Sequence, residues 1–153
     1  MARKTENQKL NESKDMPKVV KLTDAQAIAR YGGENMLIAP PLDYDGLMKQ
    51  VPFGMVTTSD IIRNVLAEKQ RSDFTCPLTA GIFINIAARA SAERQTDPTP
   101  FWRTLKKDGE LNDKFPGGIE TQKMMLEAEG HEVIQRGKKF YVKNYGDKLF
   151  SFE

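Results

Sequence analysis

Over the first fifteen residues Leu10 is the one large aliphatic side chain among polar and charged neighbours. Such a segment cannot bury enough surface to offset the ordering of its backbone, so residues 1–15 are expected to be a mobile polar arm. Beyond Pro17, Val19-Val20-Lys21-Leu22 is a short apolar stretch, and Thr23 or Asp24 can cap a helix over residues 25–30 that Gly32-Gly33 ends. Met36-Leu37-Ile38-Ala39, ahead of Pro40-Pro41, reads as a short strand. Asp43 or Asp45 is expected to start a helix through Leu47, Met48 and Val51, which Pro52-Phe53-Gly54 breaks.

The middle of the chain has a clearer period. Thr58, Ser59 and Asp60 offer an N-cap and early negative charge to a helix with Ile61, Ile62, Val65 and Leu66 on one face. A second helix begins near Thr75, with Pro77 in its first turn, where a missing N–H costs nothing. Its apolar residues Leu78, Ile82, Phe83, Ile86 and Ala90 are expected on the buried face, and Thr79, Ala80, Asn85, Ala88 and Arg89 on the opposite one. The polar turn between them, residues 69–73, makes the pair compatible with a helix-turn-helix, as it would any helical hairpin. A linker at residues 94–98 leads to an extended segment, residues 100–105, and a turn at Lys107-Asp108-Gly109. Residues 119–129 form a third helix with Gly130 at its C-cap, and alternation with a turn glycine makes a β-hairpin of Val133-Ile134-Gln135 and Phe140-Tyr141-Val142.

Composition narrows the classes. The 153 residues are 39% hydrophobic and 29% charged, as in a soluble globular chain. No run approaches the roughly 18–20 apolar residues needed to span a bilayer, and no apolar stretch follows Met1–Glu6 as in a signal peptide, so a cytoplasmic protein without membrane contact is expected. One cysteine, Cys76, and one histidine, His131, leave no disulfide framework and no zinc cluster of the usual composition; neither metal nor cofactor is expected. The net charge is only +2, but its distribution is uneven. Residues 1–21 carry six Lys or Arg against three acidic residues, residues 22–102 seven against nine, and residues 135–148 five against one. Both ends are basic, and the hairpin would be a basic wing.

Candidate chemistry concentrates after Thr99. The run Pro100-Phe101-Trp102-Arg103 is followed by Asp108-Gly109, Gly117-Gly118, Gln122, Leu126 and Glu129-Gly130-His131, and is preceded by Val51-Pro52-Phe53-Gly54-Met55-Val56-Thr57-Thr58. In this order the segments resemble the C-terminal domain of the O6-alkylguanine-DNA alkyltransferases, over residues 51–142. That family opens on Val-Pro-Tyr-Gly-Arg-Val-Thr-Thr and carries its nucleophile in a Pro-Cys-His-Arg strand. Here Phe101 stands at the cysteine position and Trp102 at the histidine position, and a phenyl ring has no lone pair with which to attack an alkyl carbon. The tyrosine that family members place beside the target phosphate falls at Ser59, and the arginine that fills the gap left by a flipped base falls near Thr79. The alkyltransferase-like branch also lacks the cysteine, usually with Trp in its place, and binds alkylated guanine without repairing it.

The resemblance implies a mainly α fold with a small β component: a winged helix-turn-helix at residues 46–145 with a C-terminal β-hairpin. The polar N-terminal arm, an extension at residues 16–45 packing on that domain, and a tail at residues 146–153 complete the chain. It also implies a non-enzymatic partner for double-stranded DNA, with recognition of alkylated or otherwise modified bases as the finer expectation. The expected nucleic-acid face comprises Thr58, Ser59, Thr79, Ala80, Asn85, Arg89, Lys138 and Lys139; Asn85 could bond adenine bidentately, and the lysines could contact phosphates. Phe101, Trp102 and Arg103 are base-pocket candidates, against the alternatives that the two rings fill the core and that Arg103 pairs with a carboxylate such as Glu129. Cys76 near a helix N-terminus is either a surviving nucleophile or a small buried hydrophobe. His131 is expected to cap or pack after its helix. The competing reading is a protein-interaction module whose first 45 residues face a partner.

Overall fold

Thr5 begins the first ordered element of the computed structural model, which describes residues 3–152; Met1, Ala2 and Glu153, assigned above to arm and tail, lie outside the described residues. Thr5 and Gln8 form a reciprocal capping box on α1 (Glu6–Leu10). The Glu93 carboxylate then accepts the backbone N–H groups of Glu6 and Asn7 at 2.9 and 3.0 Å, and Leu10 is buried in the core. These residues of the expected mobile arm are thus docked. A helix this short is unstable alone, and the acceptor that completes its N-terminus is supplied from far along the chain.

The next elements follow the sequence pattern. β1 (Lys18–Lys21) leads to α2 (Ala25–Tyr31), capped by Asp24 and ended by Gly32 at φ +88°, where a side chain would be strained. β2 (Asn35–Ile38) pairs antiparallel with β1, with Val19 opposite Leu37, and parallel with β4 (Phe74–Thr75). α3 (Pro41–Met48) starts earlier than the acidic caps suggested. Pro40 is extended and Pro41 takes the first helical position, whereas Asp45 is buried inside the helix. Its carboxylate accepts from Thr99 Oγ1 at 2.6 Å and lies 3.3 Å from Lys49 Nζ.

α4 (Ser59–Lys69) is capped by Thr58 and turns Ile62, Leu66 and Ala67 inward. On α5 (Pro77–Glu93) the contact face is only partly the expected one, Ile86 and Ala90 being buried as expected. Ala80, Ile84, Ala87, Ala88 and Ser91, at steps of 4, 3, 1 and 3, are buried, whereas Leu78 and Ile82 are 73% and 48% exposed. α1, α3 and α4 all pack on α5, and small side chains let them approach its axis, so the alanines face the core and the bulkier residues of the first turns project from it.

Residues 100–105 are also not the expected continuous strand. Phe101–Arg103 form one 3-10 turn, and β5 (Thr104–Leu105) begins after it, parallel to β3 (Thr57–Thr58). α6 (Gly118–Ala128) and the hairpin of β6 (Val133–Arg136) and β7 (Lys139–Val142) follow as expected. The chain then returns across Val56, whose N–H donates to the Lys148 carbonyl while its own carbonyl accepts from Phe150. The larger core lies among α1, α3, α4 and α5, and a smaller one holds Val56, Leu105, Leu111, Leu126 and Val142; Trp102 packs against both. Among the described residues no helix is long and apolar enough to cross a membrane.

Candidate nucleic-acid interface

The 3-10 turn at residues 101–103 directs its three side chains to structural partners. Phe101 is 7% exposed and meets Trp102 and Phe115 edge-on, with ring centroids 5.4 Å apart in both pairs. Trp102 Nε1 donates to Glu129 Oε2 at 2.7 Å. Arg103 reaches the same carboxylate through Nε and Nη2, each at 2.9 Å to its nearer oxygen, and donates through Nη1 to the Val51 carbonyl. Its guanidinium also lies against the rings of Trp102 and Phe53. Phe101 is thus buried in the core and Trp102 packs against it, Arg103 pairs with Glu129, and none of the three is among the lining residues of the cavity described next.

Glu129 receives one further bond, from the Gly54 N–H at 3.1 Å. Burial alone would raise its carboxyl, but the donors Arg103, Trp102 and Gly54 outweigh it and hold the group below the ordinary glutamate range. Nearby His131 is buried with Nε2 lacking a partner among the described residues. Desolvation and, secondarily to the opposing pull of Glu129, the charge of Lys148 keep its imidazole below the usual histidine value.

An open cavity does exist, displaced from those rings. It measures about 210 Å³ and is lined by Ser59 of α4, Gly81, Ile84 and Asn85 of α5, Thr104, Leu105 and Lys106 of β5 and its extension, and Asn112, Lys114 and Phe115 of the following loop. That volume falls below the roughly 300–1,000 Å³ of clefts for drug-sized ligands and suits a single planar ring system. The exposed Gly81 and Lys114 place part of its lining at the surface. A shallower groove of about 360 Å³ runs beside it between Arg63, Pro77, Ala80 and Gly81 on one side and Lys106, Lys107, Asp108 and Glu110 on the other. The first turn of α5 has no side-chain cap, so its N–H groups add positive potential beside these cations.

The architecture is similar to that of S. pombe Atl1. A structure of S. pombe Atl1 in complex with damaged DNA containing O6-carboxymethylguanine superposes with a TM-score of 0.53 over 72% of this chain and 94% of that one, at 18% identity. A structure of S. pombe ATL in complex with DNA gives 0.50 at the same identity and coverage. No known family's sequence model matches the chain, and no curated protein does. At this identity the likeness to Atl1 is one of fold.

The remaining expected contacts divide. Ser59 lines both cavity and groove, and Asn85 lines the cavity, so Asn85 faces the loop rather than an open helix surface. Thr58 is buried, its Oγ1 accepting from the Ile61 N–H, and is consumed as a cap. Ala80 is 1% exposed and packs at the helix interface, although it also borders the groove. Thr79 donates to the Cys76 carbonyl at 3.4 Å. Arg89 lies 3.6 Å from Glu6 of α1, away from the cavity lining. Lys138 and Lys139 are exposed at the hairpin turn, where they border a further cleft with Lys106. Cys76 is the residue before α5 and is not among the cavity's lining residues. Sequence reasoning missed Thr104, Lys106, Asn112, Lys114 and Phe115. Only the Lys106-Lys107 pair gave a signal, as adjacent cations beside a turn.

Proposed function

We propose that this chain is a non-enzymatic, duplex-DNA-binding protein of alkyltransferase-like type that accommodates a modified or displaced base. The observation that carries the reading is the base-sized cavity beside the exposed, uncapped first turns of α5, bordered by Lys106 and Lys114. The pair α4–α5 then acts as a helix-turn-helix and β6–β7 as its wing, with Lys138 and Lys139 on phosphates. Transfer chemistry is not part of the proposal: Phe101 offers no nucleophile and packs in the core, and Cys76 is not among the residues lining the cavity. Fluorescence anisotropy with plain and O6-methylguanine duplexes over a salt series tests it. Binding that weakens steeply with salt, with a preference for the modified duplex, is expected; no binding at low salt would overturn the reading, and equal binding to both would remove base recognition.

A second reading is favoured by one feature. β1 is one edge of its sheet and carries the half-exposed Val19, a strand that a protein partner could extend. Capture from a native extract that survives nuclease treatment would support that use of residues 1–45.

A further inference from the structure

The cavity has a polarity that is set from behind. The Asn112 backbone N–H donates to Gln122 Oε1 at 2.7 Å, and Gln122, fully buried, donates in turn to the Trp102 carbonyl at 3.2 Å. The Lys114 backbone N–H donates to Asn112 Oδ1 at 2.9 Å. A backbone N–H can only donate, so this contact fixes which end of the Asn112 amide is oxygen. Asn112 Nδ2 must then point the other way, and it donates to Asn85 Oδ1 at 3.1 Å. Asn85 therefore has its carbonyl engaged, and its NH2 group, with no bond among the described residues, is the end left for a ligand.

The rest of the lining agrees in sign. Lys106 and Lys114 are donors, Ser59 supplies a hydroxyl, and no carboxylate lines the cavity. Thr104, wholly buried, lines it too, and its Oγ1 has no partner among the described residues. An unpaired buried hydroxyl is costly unless something bonds it. Ile84, Leu105 and Phe115 provide apolar walls for the faces of a ring.

We propose that this cavity takes a flat heterocycle whose edge presents hydrogen-bond acceptors, a ring carbonyl beside a ring nitrogen, and that Asn85, locked by Asn112, is the residue that selects it. The inference deepens the base-binding reading above by naming the edge that is read. An amide with both ends free would bond adenine through its N6 donor and N7 acceptor; here Asn112 holds one lone pair of the Asn85 oxygen and fixes the amide's orientation, so the NH2 group is the end offered and an edge that presents acceptors is favoured over an amino-bearing one.

Inosine and adenosine test this on the edge that bears N7, where inosine presents a carbonyl oxygen and adenosine an amino group beside the same ring nitrogen. Each is titrated as the free nucleoside, and each base is also placed opposite an abasic site in a duplex so that no pair need be broken. The wild-type protein is expected to favour inosine and the hypoxanthine duplex by about tenfold or more. Asn85→Asp keeps the acceptor for Asn112 but puts an oxygen where the NH2 was, and is expected to reverse the preference. In the wild type, the Asn85 side-chain amide signals in a 1H–15N NMR spectrum should shift with inosine, a readout that does not depend on the variant's folding.

Equal or adenine-favouring binding by the wild type, or unmoved Asn85 signals on saturation, would overturn the proposal. So would failure of both nucleosides and both duplex bases to bind. Salt-dependent DNA binding with a base preference that folded Asn85→Asp leaves unchanged would overturn it while leaving the DNA reading intact. Inosine-selective nucleoside binding without any duplex binding would sustain it and sink the DNA reading instead.

Discussion

Glu129 gathers four N–H donors from three residues, Arg103, Trp102 and Gly54, on two carboxylate oxygens, and so ties the turn at residues 101–103 to the end of α6 and to the segment before β3. The Arg103 and Glu129 side chains are 14% and 5% exposed, so removing one partner strands the other charge away from water. Glu129→Gln is expected to cost about 3–5 kcal/mol near neutral pH, measured by urea unfolding. The sign with pH follows from the lowered folded carboxyl: the stabilisation is complete above the ordinary glutamate value of about 4.3 and is lost as pH falls through the lower folded value. The gap between wild type and variant should therefore close in that acidic window. The pairing was legible in the sequence as one of two alternatives, because an arginine two residues from a family cysteine position and a carboxylate after the next helix were both visible. The lock on Asn85 was not, because the amide that orients it comes from a loop 27 residues away.

Among the elements, those with local signals were readable. Asp24 and Gly32 mark both ends of α2, Thr58 caps α4, and alternation with Gly137 defines the hairpin. Elements that depend on distant partners were not. α1 looks like a polar arm because its decisive acceptor is Glu93, and α5 looks amphipathic through Leu78 and Ile82 because bulk, not smallness, marks a core face in a periodicity reading. Glu93→Ala should release α1 selectively. Hydrogen exchange of the amides of residues 6–10 is expected to speed several-fold while the middle of α5 keeps its protection; unchanged exchange in α1 would mean that Leu10 burial and the contacts of Glu6 and Asn7 with Arg89, Ala90 and Arg94 hold it without Glu93.

For the whole molecule, the net charge of +2 understates how the cations are placed. Lys106 borders the cavity, the groove and the hairpin cleft, joining the first turns of α5 to Lys138 and Lys139 across one side of the protein. That continuity comes from the β3–β5 pairing and the Leu111 contact with β7, neither of which has a local sequence signal. The resemblance to the alkyltransferases anticipated a fold similar to that of Atl1, whereas Phe101 and Trp102, its base-pocket candidates, pack against the core. Hydrogen–deuterium exchange footprinting with and without a short O6-methylguanine duplex addresses this surface directly. Protection is predicted in residues 77–85 and 105–115 and at the hairpin turn, with residues 18–38 unchanged; protection confined to residues 18–38, or none at saturating DNA, would contradict it.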